Sequence, residues 1–147
     1  LTREKTITLR NPKVEAESHD ERYQCRPRQP SQTNYAFMSN MRDGSYFTFE
    51  NFDLQGVDGL QARVSANQTG LQLQVRLDSA QGPIVAEAAI PNTGGDTNWS
   101  NINLSLQRVP QQPHDLYFVT YGTADINASV DWIYFQNSEA ESRVASR

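Results

Sequence analysis

Apolar and polar residues alternate with a period of two along most of this chain. The clearest case is residues 71–78, L-Q-L-Q-V-R-L-D, in which every second side chain is apolar. Because successive side chains of a β-strand point to opposite faces, this alternation predicts a strand with one buried and one solvated face. Similar segments begin at Ile7, Lys13, Tyr46, Leu60, Ile84, Ile102, His114 and Ser129.

Turn-forming residues separate these segments. Dipeptides such as Asp43-Gly44 and Asp58-Gly59 favour tight turns between strands. Eight or nine short strands without a helical stretch predict an all-β fold, built as an antiparallel β-sandwich. Two regions lack the alternation: residues 19–33, rich in Arg, Gln and Pro, predict a long loop, and residues 137–147 predict a solvated tail or linker.

Length and charge narrow the range of functions. The 147 residues suffice for one domain with one core. A net charge of -4 gives no reason to expect nucleic acid or an anionic membrane as a partner. No apolar run approaches the roughly 20 residues of a membrane helix, and residues 1–10 lack the apolar centre of a signal peptide.

The sequence contains no arrangement typical of a catalytic site. Glycoside hydrolysis needs two opposed carboxylates, but 17 acidic residues make such pairs available by chance. The motifs G-x-S-x-G, H-E-x-x-H, C-x-x-C and G-x-G-x-x-G are all missing. The single cysteine, Cys25, excludes an internal disulfide, and only His19 and His114 could act as a base for it. We interpret it as a buried or incidental thiol and expect no catalysis.

Five sequence segments resemble, in order, the motifs of the family 6 carbohydrate-binding modules. The strongest is LQLQVRLDSAQGPIVAEAAIPNTGG at residues 71–95, which is similar to the family's run of strand, R-L-D-S-x-x-G, strand and P-x-T-G-G. The resemblance covers about Val14–Gln136. Other matching segments are VEAE at Val14, DGSYFTF at Asp43, HDLYFVTYG at His114 and VDWIYF at Val130.

This resemblance implies a jelly-roll-like β-sandwich over residues 14–136, with residues 1–13 as an upstream strand or linker. It implies a monomeric, secreted, bacterial module that targets an attached glycan-degrading enzyme to a polysaccharide of the xylan, β-glucan or agarose type. Family members carry up to two saccharide sites, one in the loops at an end of the sandwich and one on the concave sheet face. The alternative is a module of the same fold that has lost sugar binding and stabilises a neighbouring catalytic domain.

The resemblance also implies a structural calcium ion. The family's metal ligands correspond to Glu15, Glu17 and Asp131. Hard divalent cations prefer several oxygen ligands. Glu15 and Glu17 are two positions apart, so a continuous strand would place both on one face.

The loop site departs from the family pattern at each of its main positions. Asp96 stands where a stacking tryptophan is expected, and Ser129 stands where a hydroxyl-binding asparagine is expected. The first stacking ring corresponds to Asn40, or to Phe37 if a short insertion is allowed. These substitutions put the usual ring-lined site in doubt.

Three interpretations stay open for the saccharide site. Trp99 could enter the loop site, with Asp96 and Asn127 as hydroxyl partners, or it could be a framework residue. An acidic site without rings could instead favour a chain end or a substituted sugar. On the concave face, Tyr46 and Thr48 correspond to that site's aromatic residue and its hydroxyl neighbour. Gln72 and Gln74 could project beside them.

Overall fold

The computed structural model describes residues 13–31, 35–107, 110–123 and 125–136 of the chain. These residues form β-strands and one short 3₁₀ helix, Ala16–Ser18. Every strand pair is antiparallel, so the all-β, antiparallel prediction is confirmed. The strands are β1 (Lys13–Glu15), β2 (Arg22–Tyr23), β3 (Arg26–Arg28), β4 (Phe37–Met41), β5 (Tyr46–Phe52), β6 (Gly59–Ala66), β7 (Leu71–Leu77), β8 (Ile84–Ile90), β9 (Ser100–Leu106), β10 (His114–Gly122) and β11 (Ala128–Gln136).

The strands follow one another in the order β2-β5-β10-β7-β8-β9-β6-β11-β4-β3, and β1 pairs with β11. Strands far apart in this order nevertheless meet through their side chains. The rings of Phe52 on β5 and Phe135 on β11 lie 4.5 Å apart. The path therefore folds back on itself into two facing layers, β2-β5-β10-β7-β8 and β9-β6-β11-β4-β3, which we call the first and second layers.

The core between the layers follows from the alternation in sequence. In β7 the alternate residues Leu71, Leu73, Val75 and Leu77 are buried, while Gln72 is exposed. Removing each such side chain from water stabilises the fold by roughly 2 kcal/mol. The alternation thus fixes which face of each long strand turns inward.

Residues 19–33 were predicted to form a long loop, and that prediction is wrong for residues 22–23 and 26–28. They contain β2, which pairs with β5, and β3, which pairs with β4. Both lie at the ends of the strand order, where a strand bonds to one neighbour only. Pro27 in β3 is compatible with such an edge position because its missing N–H is not needed on the open side.

Both ends of the described module lie at one end of the sandwich. Lys13 in β1 pairs with Tyr134 in β11, close to the last described residue, Gln136. The predicted strand at Ile7 and the predicted tail at 137–147 lie outside the described residues. None of the helical structure in the described ranges is long and apolar enough to cross a membrane.

Candidate functional site

A cavity of about 1000 Å³ opens at the end of the sandwich opposite Lys13 and Gln136. It lies where the loop after β6, the start of β11 and strands β3 and β4 come together. We call it the loop-end cavity. Its lining is formed by Arg26, Pro27, Arg28, Ser39, Asn40, Ala66, Asn67, Gln68, Gly95, Asp96, Asp125, Asn127, Ala128 and Ser129.

Four of the eight predicted saccharide-binding residues meet in this cavity. Asn40 and Asn127 are exposed in it, and Ser129 is buried in its wall. Asn40 adopts a left-handed backbone with φ of 59°, a conformation that asparagine tolerates well. The fourth residue is Asp96. Antiparallel pairing of β11 with both β4 and β6 brings these distant positions together.

The loop that carries Asp96 is held by hydrogen bonds to the end of β6. Ser65 Oγ donates to the carbonyl oxygen of Asp96 at 3.0 Å. The backbone N–H of Ala66 donates to Thr93 Oγ1 at 3.0 Å. Gly94 has φ of 92°, a left-handed conformation that glycine adopts without strain. The cavity wall is therefore fixed by the fold before any ligand binds.

Two arginines contribute positive charge to the cavity, and the sequence analysis did not predict either. Arg26 and Arg28 lie two positions apart on β3, so their side chains share one face. Arg28 forms an ion pair with Asp96, and its guanidinium lies 5.8 Å from the ring centroid of Phe37. Arg26 makes no ion pair within the described part of the chain. The R-P-R signal was visible, but it was interpreted as part of a loop.

Two predicted aromatic residues lie behind the cavity and do not line it. Phe37 is fully buried, and its ring meets Trp99 edge-on at 5.0 Å. Trp99 Nε1 donates to the hydroxyl of Tyr35 at 2.6 Å, and the Arg63 guanidinium lies over the Trp99 ring at 5.4 Å. In the described residues the cavity lining contains no aromatic ring. The structure thus places Phe37 and Trp99 in a packed framework.

The predicted sheet-face residues lie on the outer side of the first layer. Tyr46 stacks on Tyr23 with centroids 5.4 Å apart, and Tyr117 flanks it at 5.1 Å. We call these three residues the tyrosine face. Thr48 is 1% exposed, and its hydroxyl accepts a hydrogen bond from the Glu21 backbone at 3.0 Å. The structure therefore does not present Thr48 as an accessible hydroxyl.

Some of the polar residues beside the tyrosine face form hydrogen bonds with one another. Gln74 is only 8% exposed. Its side-chain oxygen accepts from Arg76 Nε at 3.0 Å, and its amide donates to Glu87 at 3.3 Å. Gln72 is exposed. Since protein rings contact Tyr46 on both flanks, this face offers less open ring surface than its tyrosine content suggests.

The predicted calcium ligands lie where β1 meets β11. Glu15 pairs with Trp132, the neighbour of Asp131. Glu17 lies on the 3₁₀ helix Ala16–Ser18, because β1 ends at Glu15, so the expectation of both glutamates on one strand face is wrong. The described residues contain no preformed group of three or more acidic, His or Cys side chains at metal-holding geometry.

Asp131 nevertheless has an unsatisfied buried oxygen that fits a cation. Asp131 is 3% exposed, and its Oδ1 has no hydrogen-bond partner among the described residues. Its Oδ2 lies 3.5 Å from the Arg63 guanidinium. Burial raises the pKa of Asp131 to about 6, opposed by Arg63 and reinforced by Glu15 and Glu17. Burial, with a contribution from Glu15, also raises the pKa of Glu17. A hard divalent cation complements this mutually repelling, oxygen-rich group.

A two-layer antiparallel sandwich with a pre-formed polar cavity at its loop end is typical of binding domains such as lectins. Comparison with known proteins gives the family. The chain matches the carbohydrate-binding module family 6 over residues 15–137 and belongs to it. It is therefore a non-catalytic, carbohydrate-binding module.

Its relatives include much longer enzymes. The chain is 28% identical over 92 residues to an arabinoxylan arabinofuranohydrolase from Paenibacillus polymyxa, matching 61% of this chain and 14% of that protein. It is 30% identical over 96 residues to the enzyme of that name from Bacillus subtilis strain 168, matching 64% and 18% of the two lengths. The chain thus spans less than a fifth of these curated relatives.

Solved structures of family 6 carbohydrate-binding modules are similar to this one. A family 6 carbohydrate-binding module from Clostridium cellulolyticum in complex with xylose superposes with a TM-score of 0.76 at 25% identity, covering 84% of this chain and 95% of that one. A β-1,3-glucan-binding module from Bacillus halodurans superposes with a TM-score of 0.78 at 22% identity, covering 87% and 98%. The second likeness is one of fold.

Proposed function

We propose that this module tethers a glycan-degrading enzyme to its polysaccharide and that it binds saccharide in the loop-end cavity. One observation carries the proposal: the fold gathers Asn40, Asp96, Asn127 and Ser129 around one open polar cavity. Amides, hydroxyls and carboxylates are the groups that hydrogen-bond sugar hydroxyls.

The geometry of the module suits a tether. The cavity includes Asn127 and Ser129 at the start of β11, whereas Gln136 ends that strand. At about 3.3 Å per residue, the nine-residue strand separates these two ends by roughly 26 Å. A domain joined at the Lys13 and Gln136 end therefore leaves the cavity open to a glycan surface.

The relatives favour a plant cell-wall glycan. The two curated relatives act on arabinoxylan by name, and the solved relative at 25% identity holds xylose. We therefore propose a xylan-type polysaccharide as ligand and a glycoside hydrolase as the attached domain. Because such polymers are too large to enter a cell, we place the module outside a bacterial cell, as part of a secreted enzyme.

We propose that a structural calcium ion is held by Asp131, Glu15 and Glu17. The support is the orphan Oδ1 of Asp131 together with the electrostatic contact among the three carboxylates. The ion would satisfy that oxygen, offset the repulsion, and join β1 to β11. Its role is to stabilise the folded state, because the unfolded chain does not assemble the ligands.

Variants on the two surfaces test where the saccharide binds. We expect Asn127→Ala to weaken retention of the module in a xylan affinity gel by about fivefold or more, because a hydrogen bond to a ligand contributes on the order of 1 kcal/mol. Tyr46→Ala on the tyrosine face serves as the control and should retain binding. The location is contradicted if Tyr46→Ala abolishes retention while Asn127→Ala preserves it; absence of binding to any glycan contradicts the function itself.

A module that has lost sugar binding is the second candidate. It is favoured by the absence of a ring from the described cavity lining, since stacked rings supply much of the affinity for pyranoses. Such a module would pack against its catalytic domain and raise that domain's melting temperature. Comparing the melting temperature of the enzyme with and without the module, alongside the affinity gel, separates the two candidates.

A further inference from the structure

The loop-end cavity must obtain its affinity from hydrogen bonds rather than from stacking. In the described residues no ring lines it, and both Asp96 and Asn40, which do, are polar. Neutral hydrogen bonds to a sugar largely replace hydrogen bonds to water, so each adds little net affinity. Charge-assisted hydrogen bonds are roughly twice as strong. The charged residues of the cavity therefore decide which ligand it holds.

One of the two arginines in the cavity has an ion-pair partner among the described residues, and the other has none. Arg28 is held by its ion pair with Asp96 and by the Phe37 ring beneath it. Arg26, on the same face of β3, is exposed and makes no ion pair with any described residue. A guanidinium has five N–H donors and no acceptor, in a fork that matches the two oxygens of a carboxylate.

We infer that the loop-end cavity selects saccharides bearing a carboxylate, with Arg26 as the group that binds it. This inference rests on the proposed function, because it names the ligand class of the same cavity. The uronate carboxylate pairs with Arg26, while Asn40 and Asn127 hydrogen-bond the hydroxyls of the same sugar. The carboxylate of Asp125, exposed in the same lining, accepts from further hydroxyls.

The balance of charge limits the ligand to isolated carboxylates. Two arginines and two aspartates line the described cavity, and Asp96 already occupies one arginine. A single uronate therefore finds one available guanidinium, whereas a dense polyuronate brings further charges toward Asp96 and Asp125. Like-charge juxtaposition disfavours the second ligand. The ligand class is a neutral glycan chain that carries separate uronic acid residues.

Paired ligands test this inference by isothermal titration calorimetry. One ligand is a xylo-oligosaccharide with a single uronic acid substituent, and the other is the same oligosaccharide with its carboxyl group reduced to an alcohol. We expect the uronate form to bind about tenfold or more tightly. Arg26→Gln should bring the two affinities within about twofold. Arg22→Gln removes the same charge from exposed β2 in the other layer and should keep the preference.

Asp96→Asn is a second test, in which the affinity for the uronate form should rise rather than fall. It releases Arg28 for the ligand, so the uronate form should bind more tightly by a few-fold. Equal affinities for the two ligands, or a preference unchanged in Arg26→Gln, would overturn the inference while leaving the proposed glycan-binding function standing. If neither ligand binds, both the inference and the proposed function are overturned. Thermal melts of all variants, each expected to unfold cooperatively, show that any loss arises in the cavity.

Discussion

Single residues decide the chemistry of the cavity. Asp96 is held by Ser65 and Arg28, so a carboxylate stands fixed at a position where family resemblance predicts a stacking ring. The rings of Phe37 and Trp99 pack against each other and are therefore not available to stack on a sugar. The consequence is a rigid polar cavity over an aromatic framework.

Trp99 should matter for stability and not for binding. Trp99→Ala removes the edge contact with Phe37 and the hydrogen bond to Tyr35, which should lower the free energy of unfolding by roughly 2–3 kcal/mol. Urea unfolding measures that loss. At a temperature where the variant is folded, its glycan affinity should stay within about twofold of the parent. A variant of unchanged stability that no longer binds would place Trp99 in the site.

Cys25 should be unreactive in the folded protein. Burial raises the pKa of its thiol to about 11, and Sγ donates a hydrogen bond to the Tyr46 carbonyl at 3.3 Å. At pH 8 the thiolate is therefore scarce, and alkylation by iodoacetamide should be much slower than in urea.

The raised pKa of Cys25 also makes the stability of the folded protein depend on pH. The folded state holds the thiol proton more tightly than the unfolded chain, whose cysteine has a pKa near 9. The contribution of this proton to the free energy of unfolding is fully present below pH 9 and is lost as the pH rises from about 9 to about 11. Equal labelling rates in native and urea-treated protein at pH 8 would show that the thiol is accessible.

Among the elements, β1 and the long strands were predictable, whereas β2, β3 and β4 were not. Residues 71–77 form β7 as the alternation predicts, because burial of Leu71, Leu73, Val75 and Leu77 on one face enforces a period of two. β4 escaped prediction because four of its five residues are buried and the left-handed Asn40 interrupts the pattern. β2 and β3 are exposed edge strands that bury no face of their own.

Some residues of the candidate site could likewise be predicted from the sequence and others could not. The departures at Asp96 and Ser129 were visible in the sequence, because the motifs around them fix their position. The arginine that pairs with Asp96 was not, because Arg28 lies 68 positions away on a strand that the pattern did not reveal. Pairing between distant elements is information that local periodicity does not contain.

Calcium should act on the junction of β1 and β11. At a calcium concentration about 100 times the dissociation constant, binding should stabilise the folded state by about 2.7 kcal/mol. Excess EDTA should then lower the melting temperature by several degrees. Differential scanning calorimetry with and without calcium measures the difference.

Asp131→Asn should abolish this response, because it removes the buried carboxylate at the junction. In EDTA the variant should melt close to the parent, because it loses the contact of Asp131 with Arg63 but also removes the cost of burying a carboxylate with an unsatisfied Oδ1. Glu50→Gln, an exposed position of equal charge change, should keep the full calcium response. A parent protein whose melting temperature ignores EDTA would contradict the calcium proposal.

At the scale of the described module, the two layers hold Lys13 and Gln136 at one end and the cavity at the other. The core draws on both layers, and Phe52 and Phe135 close the contact between them. The cavity, by contrast, is built on the second layer and its adjoining loops, with β3, β4, β6 and β11 each contributing residues. Binding there requires no movement of the core, which suits the proposed role of a tether.

The central claim is that saccharide binds in the loop-end cavity, and amide chemical-shift mapping tests it most directly. In a titration of the isotopically labelled module with xylo-oligosaccharides, with and without a uronic acid, we expect the largest shifts at Asn40, Asp96, Asn127 and Ser129. The amides of Tyr46 and Thr48 should move little. Large shifts at the tyrosine face with a silent cavity would contradict the account.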